Sequence, residues 1–154
     1  MNVETKVEPN VKQAVPFFSV SNIEASVRYY VDGLGFEMTN KWVKDGKLRW
    51  CELKHGNASL MLQEFRTEGH DSWVPDGKVG EGVSIFFFCE DALAIYREST
   101  ARGIKASKPR VGNGMWAMSL KDPDGFSIYF ESKTDVPEGT VFSEDEGSDT
   151  KGNG

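Results

Sequence analysis

The first half of the chain combines strand-like patterns with one helical pattern. Residues 14–20 are largely apolar at both alternating sets of positions, which is typical of a strand covered on both faces. Residues 23–34 then carry apolar side chains at helical spacing, and Ser21 with Glu24 predicts a capping box before them. Three further strand patterns follow, at residues 36–43, 48–53 and 59–65. With an Asp-Gly hairpin signal at positions 45–46, this half has the order β-α-β-β-β.

The second half repeats that order of patterns. Residues 83–89 predict an apolar strand, and Asp91 predicts the cap of a helix that continues to Ala101. Three strand patterns follow this helix, at residues 104–111, 115–121 and 126–131. The sequence therefore predicts an α+β fold of two βαβββ modules. Because the two halves share few identical residues, one α+β domain with coincidental symmetry is the alternative.

The order of patterns divides the chain into five parts, which are residues 1–13 (an N-terminal extension), 14–65 (the first module), 66–81 (a linker), 82–132 (the second module) and 133–154 (an acidic tail). The tail carries six acidic residues and two lysines in a chain of net charge −6. Its charge and its scarcity of apolar residues predict disorder. The remaining body is nearly neutral and has no basic block, which argues against nucleic acid as a partner.

Composition bears on where in the cell this chain is found and on whether it associates with a membrane. Its longest uncharged apolar run, residues 83–89, is far shorter than the roughly 20 residues of a membrane-spanning helix. The first residues are polar and lack the apolar region of a secretory signal. Two cysteines, Cys51 and Cys89, are too few for a disulfide framework. We therefore expect a cytoplasmic protein with reduced thiols and no membrane association.

Three segments, in the same order along the chain, resemble one family. Residues 15–36 (VPFFSVSNIEASVRYYVDGLGF) resemble the opening strand and helix of the vicinal-oxygen-chelate superfamily, which includes glyoxalases, bleomycin resistance proteins and extradiol dioxygenases. Residues 56–63 (GNASLMLQ) resemble the strand that ends its first module, and residues 121–130 (KDPDGFSIYF) resemble its closing turn and strand. The resemblance implies that the two modules form a curled eight-stranded cup with helices outside. It also implies a ligand site inside the cup, often shared by two subunits.

The resemblance also places four metal-ligand positions on this chain. They fall on Val15, Met61, Ser84 and Tyr129, whereas the divalent metals of this family take imidazole and carboxylate ligands. We therefore expect no metal and no cofactor. A metal site assembled from Gln63, Glu131 and His70 is the alternative arrangement.

Strand alternation predicts which side chains share the cup face with those positions. We predict a ligand site made of Phe17, Ser19, Trp50, Glu52, Met61, Gln63, Ser84, Phe86, Phe88, Tyr129 and Glu131. An apolar, aromatic surface with few polar groups is typical of a small-molecule pocket. Glu52 and Glu131 favour a cationic group on a planar ligand. Phe86 and Phe88 have an alternative interpretation as ordinary core residues.

These features predict a metal-free small-molecule binding protein of the glyoxalase and bleomycin resistance type, without catalysis and acting as a homodimer. The alternative is a metal-dependent lyase or dioxygenase of the same superfamily with displaced ligands. A structural module that kept the fold and lost the site is a third hypothesis.

Overall fold

The computed structural model describes residues 7, 9–70 and 72–144, and these form two modules of the same design. The first contains β1 (Phe17–Val20), α1 (Ile23–Val27), a π-helix (Arg28–Gly33), β2 (Glu37–Lys44), β3 (Lys47–His55) and β4 (Ala58–Glu64). The second contains β5 (Ser84–Phe88), α2 (Ala92–Ala101), β6 (Arg110–Gly112), β7 (Met115–Lys121) and β8 (Ser127–Lys133). The prediction of two βαβββ modules is confirmed.

The eight strands form two separate four-stranded sheets with matching topology. The strand order is β1-β4-β3-β2 in the first sheet and β5-β8-β7-β6 in the second. In each sheet the first strand pairs in parallel with the last, and the remaining pairs are antiparallel. Each module therefore pairs its first strand with its last. This is the arrangement expected when the helix crosses over between two parallel strands.

One apolar core joins the two modules on the helix-covered side of the sheets. Phe18 of β1 stacks on Phe126 with ring centroids 3.9 Å apart, and Phe36 meets Phe87 of β5 edge to face. The buried Tyr30 hydroxyl donates a hydrogen bond of 2.7 Å to Asp122 Oδ2 in the second module. The modules are thus tied together by packed aromatic rings and by one buried polar contact.

The start of α1 differs from the predicted capping box. Its N-cap is Asn22, whose side chain accepts from the Ala25 backbone N–H, so the Ser21 and Glu24 prediction was wrong. The Ser21 N–H instead donates to the carboxylate of Asp124, 103 residues away in sequence. Glu64 Oε2 accepts the Ile23 N–H at 3.1 Å. Two carboxylates from other elements thus satisfy backbone amides at this helix end, where negative charge is favourable.

The predicted strand bounds hold for most elements and fail for two. The first strand begins at Phe17, so Val15 lies before it rather than within it. Residues 104–109 are irregular, and the strand that pairs with β7 is Arg110–Gly112 instead of the predicted 104–111. Pro109 lacks a backbone N–H and immediately precedes this short strand, which limits pairing on its N-terminal side.

The linker crosses the second module at a close backbone contact. Gly80 has a positive φ of 75°, and an added Cβ there would lie 2.5 Å from the Phe126 backbone nitrogen. Only glycine satisfies both requirements at once. The linker is thereby seated on the turn between β7 and β8.

The acidic tail was predicted to be disordered from residue 133, and the structure contradicts this for residues 133–144. Lys133 ends β8, and residues 134–142, which we name the strap, return along β6. The Val111 N–H donates to the Thr140 carbonyl, and Phe142 is buried against Tyr96 and Trp116. The buried Phe142 ring anchors the strap despite the acidic composition around it. Residues 145–154 lie outside the described residues, as does most of the N-terminal extension.

Within the described part of the chain, no helix has the length and apolar character required to cross a membrane.

Candidate functional site

Each sheet has one face turned away from the helices and the shared core, which we name the open face. The predicted site residues of β1, β3 and β4 have the opposite parity to the buried core residues of those strands and lie on the first open face. Those of β5 and β8 lie in the same way on the second open face. Strand alternation thus predicted the face of every candidate residue, while their role in binding stays a prediction.

Backbone register brings the first set into two adjacent rows across three strands. Met61 of β4 lies between Phe17 of β1 and Glu52 of β3. Gln63 lies in the same way between Ser19 and Trp50. Directly paired side chains on one face are within contact distance. Each of these two rows therefore places one aromatic ring, Phe17 or Trp50, on the same face as polar side chains.

The Glu52 carboxylate on this face is already engaged within the first sheet. Its Oε1 accepts a hydrogen bond of 3.0 Å from the Thr39 hydroxyl of β2. This contact orients Glu52, which is half-buried.

The second open face consists of three consecutive rows across β5, β8 and β7. Ser84, Ser127 and Lys121 form the first row. Phe86, Tyr129 and Ser119 form the second, and Phe88, Glu131 and Ala117 form the third. The Phe86 and Tyr129 rings are nearly parallel, with centroids 4.4 Å apart. A polar and cationic row, an aromatic row and an acidic row thus follow one another along this face.

Exposure decides between pocket and core for the phenylalanines of β5. Phe86 and Phe88 are 47% and 70% exposed, so neither is a core residue in this chain. Phe87, between them, packs against the core and stacks on Phe130. Phe17 on the first sheet is also 51% exposed. Exposed aromatic side chains clustered on sheet faces indicate surfaces that bind another molecule.

One cavity opens beside the first open face. It has a volume of about 350 Å³ and lies between Phe17 and Ser19 on one side and linker residues 75–80 on the other. Trp73 lines it as well, and its ring packs edge to face on Phe65. This volume is suitable for a small organic molecule.

A second cavity, of about 500 Å³, lies at the first row of the second open face. Tyr129 and Ser127 form its floor together with Ser119 and Lys121 of β7, and residues 105–107 form its wall. Sequence reasoning found Tyr129 here but missed Lys105, Lys121, Ser107 and Ser119. Strand alternation along β7 was sufficient to place Lys121 and Ser119 on this face, whereas the position of residues 105–107 depends on tertiary packing.

The donor set at the family's metal positions does not fit a metal. Met61, Ser84 and Tyr129 offer a thioether, a hydroxyl and a phenol, and Val15 offers no donor. The described residues contain no group of three or more His, Cys, Asp and Glu side chains arranged to hold an ion. His55 ends β3 and meets the Phe36 ring, on the side of the sheet opposite the open face, and His70 lies exposed in the linker. Divalent metals of this kind prefer imidazole and carboxylate ligands, which these positions lack.

The buried titratable groups lie in or against the core and not on the open faces. Burial raises the pKa of the Cys51 thiol to about 11 and also raises that of Cys89. Both thiols therefore stay protonated and poorly nucleophilic at neutral pH. Burial, with the neighbouring Asp122 charge, raises the pKa of Tyr30 far above its usual value. Burial also raises the pKa of Asp122, against the opposing effect of the Tyr30 hydrogen bond.

Solved structures with this fold include an antibiotic-binding protein and a lyase. TioX from Micromonospora sp. ML1 has a TM-score of 0.65 and 18% identity, covering 80% of this chain and 99% of TioX. TnmS3, an antibiotic binding protein from Streptomyces sp. CB03234, has a TM-score of 0.59 and 20% identity, covering 80% of this chain and 98% of its own. Lactoylglutathione lyase from Agrobacterium tumefaciens has a TM-score of 0.60 and 19% identity, with coverage of 80% and 95%. At these identities the likeness concerns the fold.

Sequence comparison identifies the family directly. No curated protein matches the chain. The family model described as Glyoxalase/Bleomycin resistance protein/Dioxygenase superfamily matches residues 12–130, which span both modules. The chain therefore belongs to the glyoxalase/bleomycin resistance protein/dioxygenase superfamily.

Proposed function

We propose that this chain is a small-molecule binding protein that holds a planar ligand on its open faces without a metal. The observation that carries the proposal is the exposure of Phe17, Phe86 and Phe88 on sheet faces whose metal positions lack suitable donors. Flat aromatic side chains stack on planar ligands and bury a large apolar area. The antibiotic-binding function named for TnmS3, a protein of the same fold, supports the binding of a small molecule.

The proposed site is completed by a second copy of the chain. Phe17 and Phe88 stay 51% and 70% exposed in one chain, which leaves half-open surfaces rather than an enclosed pocket. A partner sheet placed over each open face buries these rings and encloses the ligand. Sedimentation at high micromolar concentration is expected to give twice the 17.2 kDa chain mass. A single 17.2 kDa species in that range contradicts the dimer.

Within this site, Trp50 stacks on the ligand and Glu131 faces a cationic group. Calorimetry with 2-naphthamide (neutral) and 2-naphthylmethylammonium (cationic) separates these two roles. Trp50→Phe is expected to weaken both probes modestly, because part of the stacking area is kept. Glu131→Gln is expected to weaken the cation more than the amide, with a difference that shrinks as salt is added.

Two matched variants control this experiment. Trp116→Phe changes a tryptophan whose ring packs against Phe142 on the helix side of its sheet. Glu98→Gln removes the same charge from α2, away from both open faces. Equal losses for both probes in Glu131→Gln indicate a structural role for Glu131. No binding of either probe to the unaltered protein contradicts the binding function and favours a module without a site.

A metal-dependent enzyme is the second candidate, favoured by the lyase among the proteins of the same fold. In this chain such a site needs displaced ligands, such as Gln63 and Glu131 on the two open faces. Mass spectrometry of protein purified without chelator distinguishes the two candidates. A stoichiometric divalent metal that Glu131→Gln abolishes establishes the metal site and overturns the metal-free proposal.

A further inference from the structure

The cavity at the first row of the second open face has a distinctive charge. Its lining contains two lysines, Lys105 and Lys121, and none of the described residues that line it is acidic. Hydroxyl groups of Ser107, Ser119 and Ser127 line the same space. Ammonium and hydroxyl groups are hydrogen-bond donors that suit an anion. Because the lysine side chain is flexible, its ammonium group can reach anions of different shapes.

The Ser107 and Ser119 hydroxyls leave one hydrogen-bond donor for a ligand. The Ser119 N–H donates to Ser107 Oγ at 2.9 Å, and the two Oγ atoms are 2.9 Å apart. One hydroxyl hydrogen joins the two oxygens, whichever serine supplies it. The other hydroxyl hydrogen is not used by this pair, so the pair offers it to the cavity as a donor.

The cationic cavity and the acidic row lie at opposite ends of one face. Ser127 and Glu131 are four residues apart on β8, which corresponds to about 13 Å along a strand. The stacked Phe86 and Tyr129 rings lie between them. A planar ligand packed against these rings therefore meets lysines at one end and a carboxylate at the other.

We infer that this cavity is an oxyanion subsite, in which Lys105, Lys121 and the serine hydroxyls hold an acidic group of a planar aromatic ligand. The inference rests on the proposed binding function and specifies its ligand class. The ligand carries a carboxylate or a similar oxyanion on the side of its ring system nearest Ser127. Any basic group that it carries lies at the far end, beside Glu131.

The experiment uses 2-naphthoate and 2-naphthamide, which share a ring system and differ in charge. Binding to the full chain is measured by calorimetry, and nuclear magnetic resonance locates the shifted residues. We expect Lys121→Gln and Lys105→Gln each to weaken naphthoate about three- to tenfold and to change naphthamide less than twofold. The control is Lys133→Gln, which removes the same charge from β8 about 20 Å along the strand from Ser127.

The outcomes separate the subsite from the binding function beneath it. Selective loss of naphthoate in the two cavity variants, with Lys133→Gln unchanged, supports the oxyanion subsite. Naphthoate binding that all three variants weaken equally, or that neither cavity variant weakens, overturns the subsite while leaving the binding function in place. If neither naphthoate nor naphthamide binds the unaltered protein, both the subsite and the binding function are wrong.

Discussion

Two adjacent tyrosines in the π-helix give a sharp test of how the modules are held together. The buried Tyr30 hydroxyl donates to Asp122 Oδ2 at 2.7 Å, and Asp122 is 4% exposed. The hydroxyl of Tyr29 is also buried, but it has no hydrogen-bond partner among the described residues. The same substitution, tyrosine to phenylalanine, should therefore have opposite consequences at these two positions.

Tyr30→Phe should lower the free energy of unfolding by about 1–3 kcal/mol, because it leaves the buried Oδ2 of Asp122 without its hydrogen-bond donor. In a chain of this size that loss lowers Tm by roughly 2–4 °C for each kcal/mol. Tyr29→Phe should be neutral or slightly stabilising, since it removes a polar atom that gains nothing from burial.

Urea denaturation followed by circular dichroism measures the free energy of unfolding of both variants. If the m-values are unchanged, the shift in midpoint reports a change in stability. Asp122→Asn completes a double-mutant cycle with Tyr30→Phe, for which we expect a coupling of about 0.5–3 kcal/mol. The reasoning fails if Tyr30→Phe costs no more than Tyr29→Phe, or if the two changes at the pair are simply additive.

Other predictions concern acid stability, the linker and the strap. Burial alone would raise the pKa of Glu64, but the Lys47 ion pair and the Ile23 N–H outweigh it and lower that pKa. The Glu64 carboxylate therefore stabilises the fold above its usual pKa, and this stabilisation is lost as pH falls. Glu64→Gln should then cost progressively less free energy of unfolding in denaturant titrations from pH 6 to pH 3. Asp122 has a raised pKa, so its own titration has the opposite sign and destabilises the fold as pH rises through that value; Asp122→Asn should remove this component. Gly80→Ala should cost roughly 1–3 kcal/mol more than Gly82→Ala by the same denaturation assay, because both have positive φ but only Gly80 abuts backbone. Phe142→Ala should cost about 3 kcal/mol and Val141→Ala less than about 0.5 kcal/mol, and similar costs for both contradict an anchored strap.

The face of each strand residue could be predicted because it depends only on alternation. Phe86, Phe87 and Phe88 are consecutive and chemically identical, yet their positions alone separate the core ring from the two exposed rings. The Asp-Gly hairpin was predictable for a similar reason, since Asp45 and Gly46 both have positive φ. Local chemistry and backbone geometry decide such features without information from distant residues.

The missed features depend on contacts between residues far apart in the chain. Asn22 rather than Ser21 caps α1, while Asp124, from the second module, binds the Ser21 N–H. Either residue is a suitable N-cap by type, so the sequence alone does not choose between them. The cationic cavity was missed because Lys105 reaches it from an irregular segment. The strap was missed because the prediction of disorder rested on the average composition of the tail. That average is dominated by acidic residues and gives little weight to one aromatic residue, Phe142, which is buried.

The strap also protects one edge of the second sheet from pairing with a foreign strand. An outer strand presents a row of unpaired backbone groups, which can recruit a strand from another molecule and start aggregation. The Val111 N–H is taken by Thr140, so the strap occupies this edge of the second sheet. The corresponding edge, β2, has register irregularities and carries Lys41 and Lys44. Addition of a foreign strand is thus discouraged at the β6 and β2 edges of the two sheets.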